Sequence, residues 1–99
     1  MKQYVFDLYV AGPTARSKQA AHNMEELCER YFPGEYLLNV IDVLDDPQLA
    51  EQVKIIATPT LVQRAPASGL RIIGSLSDRK AILEALGLEP QESDSENNR

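Results

Sequence analysis

Two apolar runs joined by one long amphipathic segment constrain this chain more than any other feature. Tyr4 to Val10, YVFDLYV, is rich in aromatic and β-branched residues and predicts a strand. Tyr36 to Leu44, YLLNVIDVL, is apolar almost throughout, the pattern expected of a strand buried on both faces. Between them, Ala20, Met24, Leu27 and Tyr31 recur at helical spacing within Thr14 to Tyr31. Ala21 and Cys28 widen that stripe, while Lys18, Glu25, Glu29 and Arg30 fall outside it. Pro33–Gly34–Glu35 ends the helix. A helical crossover leaves the two strands parallel and the connection right-handed. Asp7, the one charge in the first strand, is expected at an accessible face or edge.

The second half is shorter in its elements and well punctuated. Asp46 is a good N-cap and Pro47 suits the first helical position, so a short helix is expected from there to about Lys54. TLVQRA and LRIIGS flank the turn-rich PASG and read as an antiparallel hairpin. Ser77 or Asp78 caps a last helix, RKAILEAL, that turns Ile82, Leu83 and Leu86 inward. Gly87 falls where a left-handed residue closes a helix, Leu88 can fold back on the last turn, and Pro90 forbids continuation. The ordered domain is therefore expected over residues 1–89. The acidic remainder, 90–99, lacks the apolar surface to order itself and reads as a solvated tail.

Composition excludes several functional classes. Ninety-nine residues suit one domain. No run approaches the ~20 apolar residues of a membrane-spanning helix. The start of the chain is too quickly charged, at Asp7, for a secretory signal, so a cytoplasmic location is expected. A net charge of −5 with no basic stripe argues against a nucleic-acid partner. The single cysteine has no partner for an internal disulfide.

The first strand closes on Val10-Ala11-Gly12-Pro13-Thr14. Cysteines at 11 and 14 would make it Cys-Gly-Pro-Cys, and the element order, strand–helix–strand–helix–strand–strand–helix, is the thioredoxin arrangement. The expected fold class is thus α/β, a single βαβαββα domain of thioredoxin type. Thr58-Pro59 precedes the third strand, where that fold carries a cis proline, a bond that costs only ~0.5–1 kcal/mol over trans. Gly12, Pro13 and Pro59 are expected as structural turn residues facing one another. Disulfide exchange needs an attacking thiolate and a resolving thiol, and Ala11 and Thr14 supply neither. Cys28 reads as a buried core residue. His22 and Cys28 are separated by about 240° around a helix and make no metal pair. Asp42 has no second carboxylate or base placed to work with it, and Asp45-Asp46 is better explained by capping. No catalytic residue, metal or cofactor is expected.

Four blocks carry a more specific resemblance: LYVAG, VIDVLDDPQLAE (Val40 to Glu51), KIIATPTL (Lys54 to Leu61) and RIIGSLSDR (Arg71 to Arg79). Together they resemble the KaiB family of circadian-clock proteins over Tyr4 to about Leu88. The resemblance implies a non-enzymatic regulator that binds the KaiC ATPase ring and competes with a sensor-kinase domain of related fold. In complete clocks it implies sequestration of KaiA. It implies two folds as well, one thioredoxin-like and one with a rearranged C-terminal half that assembles as a tetramer. Asp42, Pro47, Gln48, Leu49, Ala50, Lys54, Pro59, Arg71 and Gly74 match the family pattern. Gln48, Glu51 and Lys54 are the implied partner contacts. Asn39 stands where the family often has lysine, Pro13 where it often has asparagine, and Ala85-Leu86-Gly87 where clock members usually read Gly-Leu-Asp. Ala85 and Gly87 are therefore expected to bias the chain toward the thioredoxin-like state and toward monomer or dimer, since glycine at 85 would cost that helix about 1 kcal/mol. An adaptor or a redox protein without the paired cysteines is the competing reading.

Overall fold

Thr14 opens the long helix with its own side chain: Thr14 Oγ1 accepts the Ser17 N–H at 3.1 Å, satisfying one of the free donors of the first turn. The protein is described by a computed structural model over residues 3–91. The elements run β1 (Tyr4–Val10), α1 (Ala15–Tyr31), β2 (Tyr36–Asp42), α2 (Pro47–Val53), β3 (Thr60–Ala65), β4 (Arg71–Ile73) and α3 (Arg79–Leu86). They form the expected βαβαββα order.

The strands make one sheet in the order β2-β1-β3-β4. β1 and β2 are parallel, in register from Tyr4 opposite Tyr36 to Val10 opposite Asp42. β3 runs antiparallel to β1, with Tyr9 opposite Thr60, and β4 runs antiparallel to β3. Alternation along β1 divides the sheet. Phe6, Leu8 and Val10 enter a core shared with Ala20, Met24, Leu27 and Cys28 of α1 and Ile82 and Leu83 of α3. Asn23 Nδ2 ties α1 to the approach to α3 by donating to Ser75 O at 2.9 Å. Asp7 and Tyr9 occupy the opposite face.

Two expectations are corrected. Asp7 is not accessible: it is 4% exposed in a central strand. Polar partners from both neighbouring strands make that burial tolerable. Arg64 Nη1 of β3 donates to Asp7 Oδ2 and Asn39 Nδ2 of β2 donates to Asp7 Oδ1, at 2.8 and 2.9 Å. Nor is β2 buried on both faces. It is the outer strand of the sheet, leaving Leu37 45% and Val40 52% exposed. An apolar run reports what a strand is able to bury, whereas the order of strands decides what covers it.

The last helix is capped by Asp78, whose Oδ1 accepts the Ala81 N–H at 3.1 Å. Gly87 adopts φ 73°, a left-handed conformation that glycine enters without a Cβ penalty. Leu88 N–H then folds back to Leu83 O at 2.8 Å. Ala85 sits inside that helix on its exposed side. Ala85→Gly is expected to lower the urea-unfolding free energy by about 1 kcal/mol through backbone entropy alone. Beyond Pro90, Gln91 N–H reaches the Tyr31 hydroxyl at 2.8 Å. The rest of the predicted tail, 92–99, lies outside the described residues.

Candidate partner-binding surface

The strand-to-helix turn after β1 is built around Gly12. It is buried at φ 78°, and its N–H donates to Asp42 Oδ1 at 3.0 Å. The same oxygen accepts the Leu44 N–H at 2.9 Å. Asp42 is thus the clasp between the two parallel strands' exits, which accounts for a carboxylate in so apolar a run. Leu44 closes over this turn; a Cβ at Gly12 would stand 3.5 Å from Leu44 Cδ1. Pro13 is exposed beside it.

The Thr58-Pro59 peptide is cis, as expected, and Ala65-Pro66 is cis as well. Pro59 is buried, its carbonyl accepting the Gly74 N–H at 2.9 Å, and Thr60 Oγ1 donates to Ala57 O at 2.6 Å. Because Tyr9 lies opposite Thr60, the Gly12-Pro13 turn and Pro59 sit at the same end of the β1–β3 pair. This is where a thioredoxin carries its cysteines, and here Ala11 and Thr14 flank the turn instead.

Between these two turns lies α2. Asp46 Oδ1 caps it by accepting the Leu49 N–H at 3.1 Å. Its other end is held by Arg71 of β4, whose guanidinium donates to Val53 O and to Lys54 O, the latter at 3.0 Å. Arg71 shares a sheet face with Val62 and Asp7, so the C-terminus of α2 lies over the face opposite α1. No residue of α2 is buried. Gln48, Glu51, Gln52 and Lys54 together line a shallow depression on its outer side. Lys54 itself is left-handed, φ 61°, a conformation that turns the chain sharply out of the helix.

The three sequence-predicted contacts are therefore brought together on one surface. Two residues flanking α2 in the chain were not singled out from the sequence: Leu44, before it, is 68% exposed and Ile56, after it, 90%. Large apolar side chains in the loops flanking a polar helix are the signal that marks them.

Cys28 and His22 both have structural settings. Cys28 is fully buried in the core, and burial, reinforced by Glu29 and Glu25, pushes its thiol up to about 12. His22 Nε2 pairs with Glu26 Oε2 at 2.8 Å on the open face of α1. Among the described residues no three His, Cys, Asp or Glu side chains are grouped to hold a metal, and no helix is long and apolar enough to cross a membrane.

Fold and site together define a thioredoxin-type scaffold whose redox turn holds no sulfur. Solved structures agree on the fold. The N-terminal domain of Synechococcus elongatus SasA superposes with a TM-score of 0.72 at 23% identity, covering 92% of this chain and 90% of that one. Mitochondrial thioredoxin 3 of Saccharomyces cerevisiae gives 0.67 at 18%, covering 88% and 79%. Sequence comparison is more specific: residues 7–88 match the KaiB domain. The circadian clock oscillator protein KaiB of Prochlorococcus marinus MED4 is 52% identical over 88% of this chain and 81% of its own length. KaiB of a Synechococcus strain is 50% identical over 94% of both chains. The chain belongs to the KaiB family.

Proposed function

We propose that the protein is a non-enzymatic clock regulator that docks on a KaiC-like ring ATPase through α2 and its flanks, and so modulates the phosphorylation and ATPase state of that ring. The observation that carries this reading is α2 itself. A helix with no buried residue contributes little to the core, yet Asp46 caps its start and Arg71 of β4 holds its end. Exposed Leu44 and Ile56, in the loops before and after it, add apolar surface to the polar side chains of Gln48, Glu51 and Lys54.

Competition with a sensor-kinase domain of related fold for one site on the ring is what the family resemblance implies, and the SasA N-terminal domain shares the fold of this chain. Sequestration of KaiA is the further step that the family resemblance implies in a complete oscillator. The family's tetrameric alternative is a second state in which the C-terminal half is rearranged, and the clean Ala85–Gly87 helix end favours the thioredoxin-like state. A cytoplasmic location goes with such a partner.

The test is binding to a purified KaiC-like ring, followed by interferometry. Gln48→Glu with Lys54→Glu turns a net-neutral set of side chains, with Glu51, uniformly acidic and is expected to weaken binding by at least about tenfold, as does loss of the exposed apolar side chain in Ile56→Ala. Neither variant should alter the urea midpoint, because these side chains are exposed. Unchanged affinity in both would remove α2 from the interface.

A further inference from the structure

The strand β4 ends the sheet beside a cleft. Gln63 N–H donates to Leu70 O and Gly74 N–H donates to Pro59 O, so the even-numbered residues of this segment direct their backbone at β3. Arg71 and Ile73 therefore direct theirs outward, where no further strand pairs with them. Between this edge and α3 lies an open cleft of about 260 Å³. Buried Leu76 and Ile82 line it with Ile72, and the exposed methyl groups of Ala81 and Ala85 border it from α3. Ile73 is left 59% exposed beside it.

Beyond Gly74 the lining turns polar and acidic. Ser75 Oγ donates to Ser77 Oγ at 3.2 Å, which leaves the Ser77 hydroxyl proton free for a ligand. Asp78 Oδ1 is taken up in capping α3, whereas its Oδ2 accepts no hydrogen bond among the described residues. Asp78 is also the one charged side chain lining the cleft among those residues.

We infer that the cleft takes an extended segment of a second protein, added to β4 as an antiparallel strand and carrying a basic residue two places before a large apolar one. Backbone bonds to Arg71 and Ile73 hold the segment. The residue between those two bonded positions lies opposite Ile72 and sends its side chain to the α3 face, into the apolar cleft. Two places earlier the segment passes Gly74, and a lysine or arginine there reaches toward Asp78. The intervening residue pairs with Ile73 on the other face, where a β-branched side chain covers the exposed isoleucine. At three residues β4 is too short to template a sheet of like edges, yet its outward groups suffice for a short segment. None of Gln48, Glu51 or Lys54 lines this cleft, so it is separate from the surface proposed on α2.

The probe is the peptide acetyl-Thr-Lys-Val-Leu-Thr-Thr-amide, titrated into the isotope-labelled full chain and followed by NMR. A dissociation constant on the order of 0.1–1 mM is expected, with the largest amide shifts at Arg71, Ile73 and Gly74. Glutamate in place of the peptide's lysine should weaken binding at least about tenfold. Asp78→Asn keeps a good capping residue but removes the charge, and should bring the two peptides within about twofold of each other. Ala81→Leu fills the cleft with a good helix former. It should abolish the shifts while leaving the circular dichroism spectrum and the affinity for a KaiC-like ring unchanged. Shifts that are absent at about 5 mM peptide, that fall away from β4 and α3, or that persist undiminished in Ala81→Leu overturn the proposal. Equal binding of the lysine and glutamate peptides by the unaltered chain does so too. Loss of ring binding in Ala81→Leu would hand the cleft to the ring interface and overturn a separate site.

Discussion

Cys28 in the folded protein is expected to react with iodoacetamide at least about a thousandfold more slowly than the same thiol in urea. The attacking species is the thiolate, and its population falls tenfold for each unit by which the thiol is raised above the pH. Cys28 is lifted from 9.0 to about 12, first by burial among Met24, Leu27 and the sheet, then by Glu29 and Glu25. Steric exclusion acts in the same direction. Alkylation at about pH 8, followed by mass spectrometry with and without urea, reads the ratio directly. Rapid labelling of the native chain would place the thiol at an accessible site and reopen the redox reading.

The same shift fixes a sign for stability. The unfolded thiol loses its proton near 9, while the folded one keeps it to about 12. Across that window the folded state binds more protons, so stability is complete below 9 and declines by up to about 1.4 kcal/mol per pH unit as pH rises. Cys28→Ala should flatten this alkaline slope, seen as a smaller drop in urea midpoint between about pH 8.5 and 10.5. An equal slope in both proteins would assign the alkaline loss to other groups.

Phe6→Ala is expected to cost about 3–5 kcal/mol, a large share of the roughly 5–15 kcal/mol that holds a small domain folded. Phe6 is completely buried in the central strand. Its ring lies 6.1 Å from that of Phe32 and 6.4 Å from that of Tyr4, and Tyr4 and Phe32 stack at 3.9 Å. This aromatic group joins the start of β1 to the end of α1, so truncation opens a cavity where the parallel crossover is fastened. Urea unfolding at fixed pH measures the loss. A cost below about 1 kcal/mol would mean that the core collapses into the space, contrary to the rigidity expected of a packed interior.

Much of the architecture was legible because its signals are local. Asp46 and Asp78 cap the helices whose first turns they precede, and Gly87 takes the left-handed residue that ends α3. The stripe of Ala20, Met24, Leu27 and Cys28 is buried as its spacing requires. The candidate surface was legible only in part. Gln48, Glu51 and Lys54 came from resemblance, whereas Leu44 and Ile56 became visible once the loops around α2 had a position. Arg71 is a further case: nothing near it in sequence announces that it holds the carbonyls of Val53 and Lys54, which are 18 and 17 residues away.

The sequence by itself determined where helices begin and end, which stripe of α1 faces inward, that the first two strands run parallel, and that no thiol chemistry occupies the Gly12-Pro13 turn. These follow from capping, periodicity and residue identity, each settled within a few neighbouring residues. Tertiary structure alone decided that β1 lies inside the sheet and β2 at its edge. That order turned Asp7 from an expected surface charge into a buried carboxylate held by Arg64 and Asn39, and it turned an apolar strand into an exposed one. Strand order is a property of non-local pairing, and the pattern along a single strand holds no record of its neighbours.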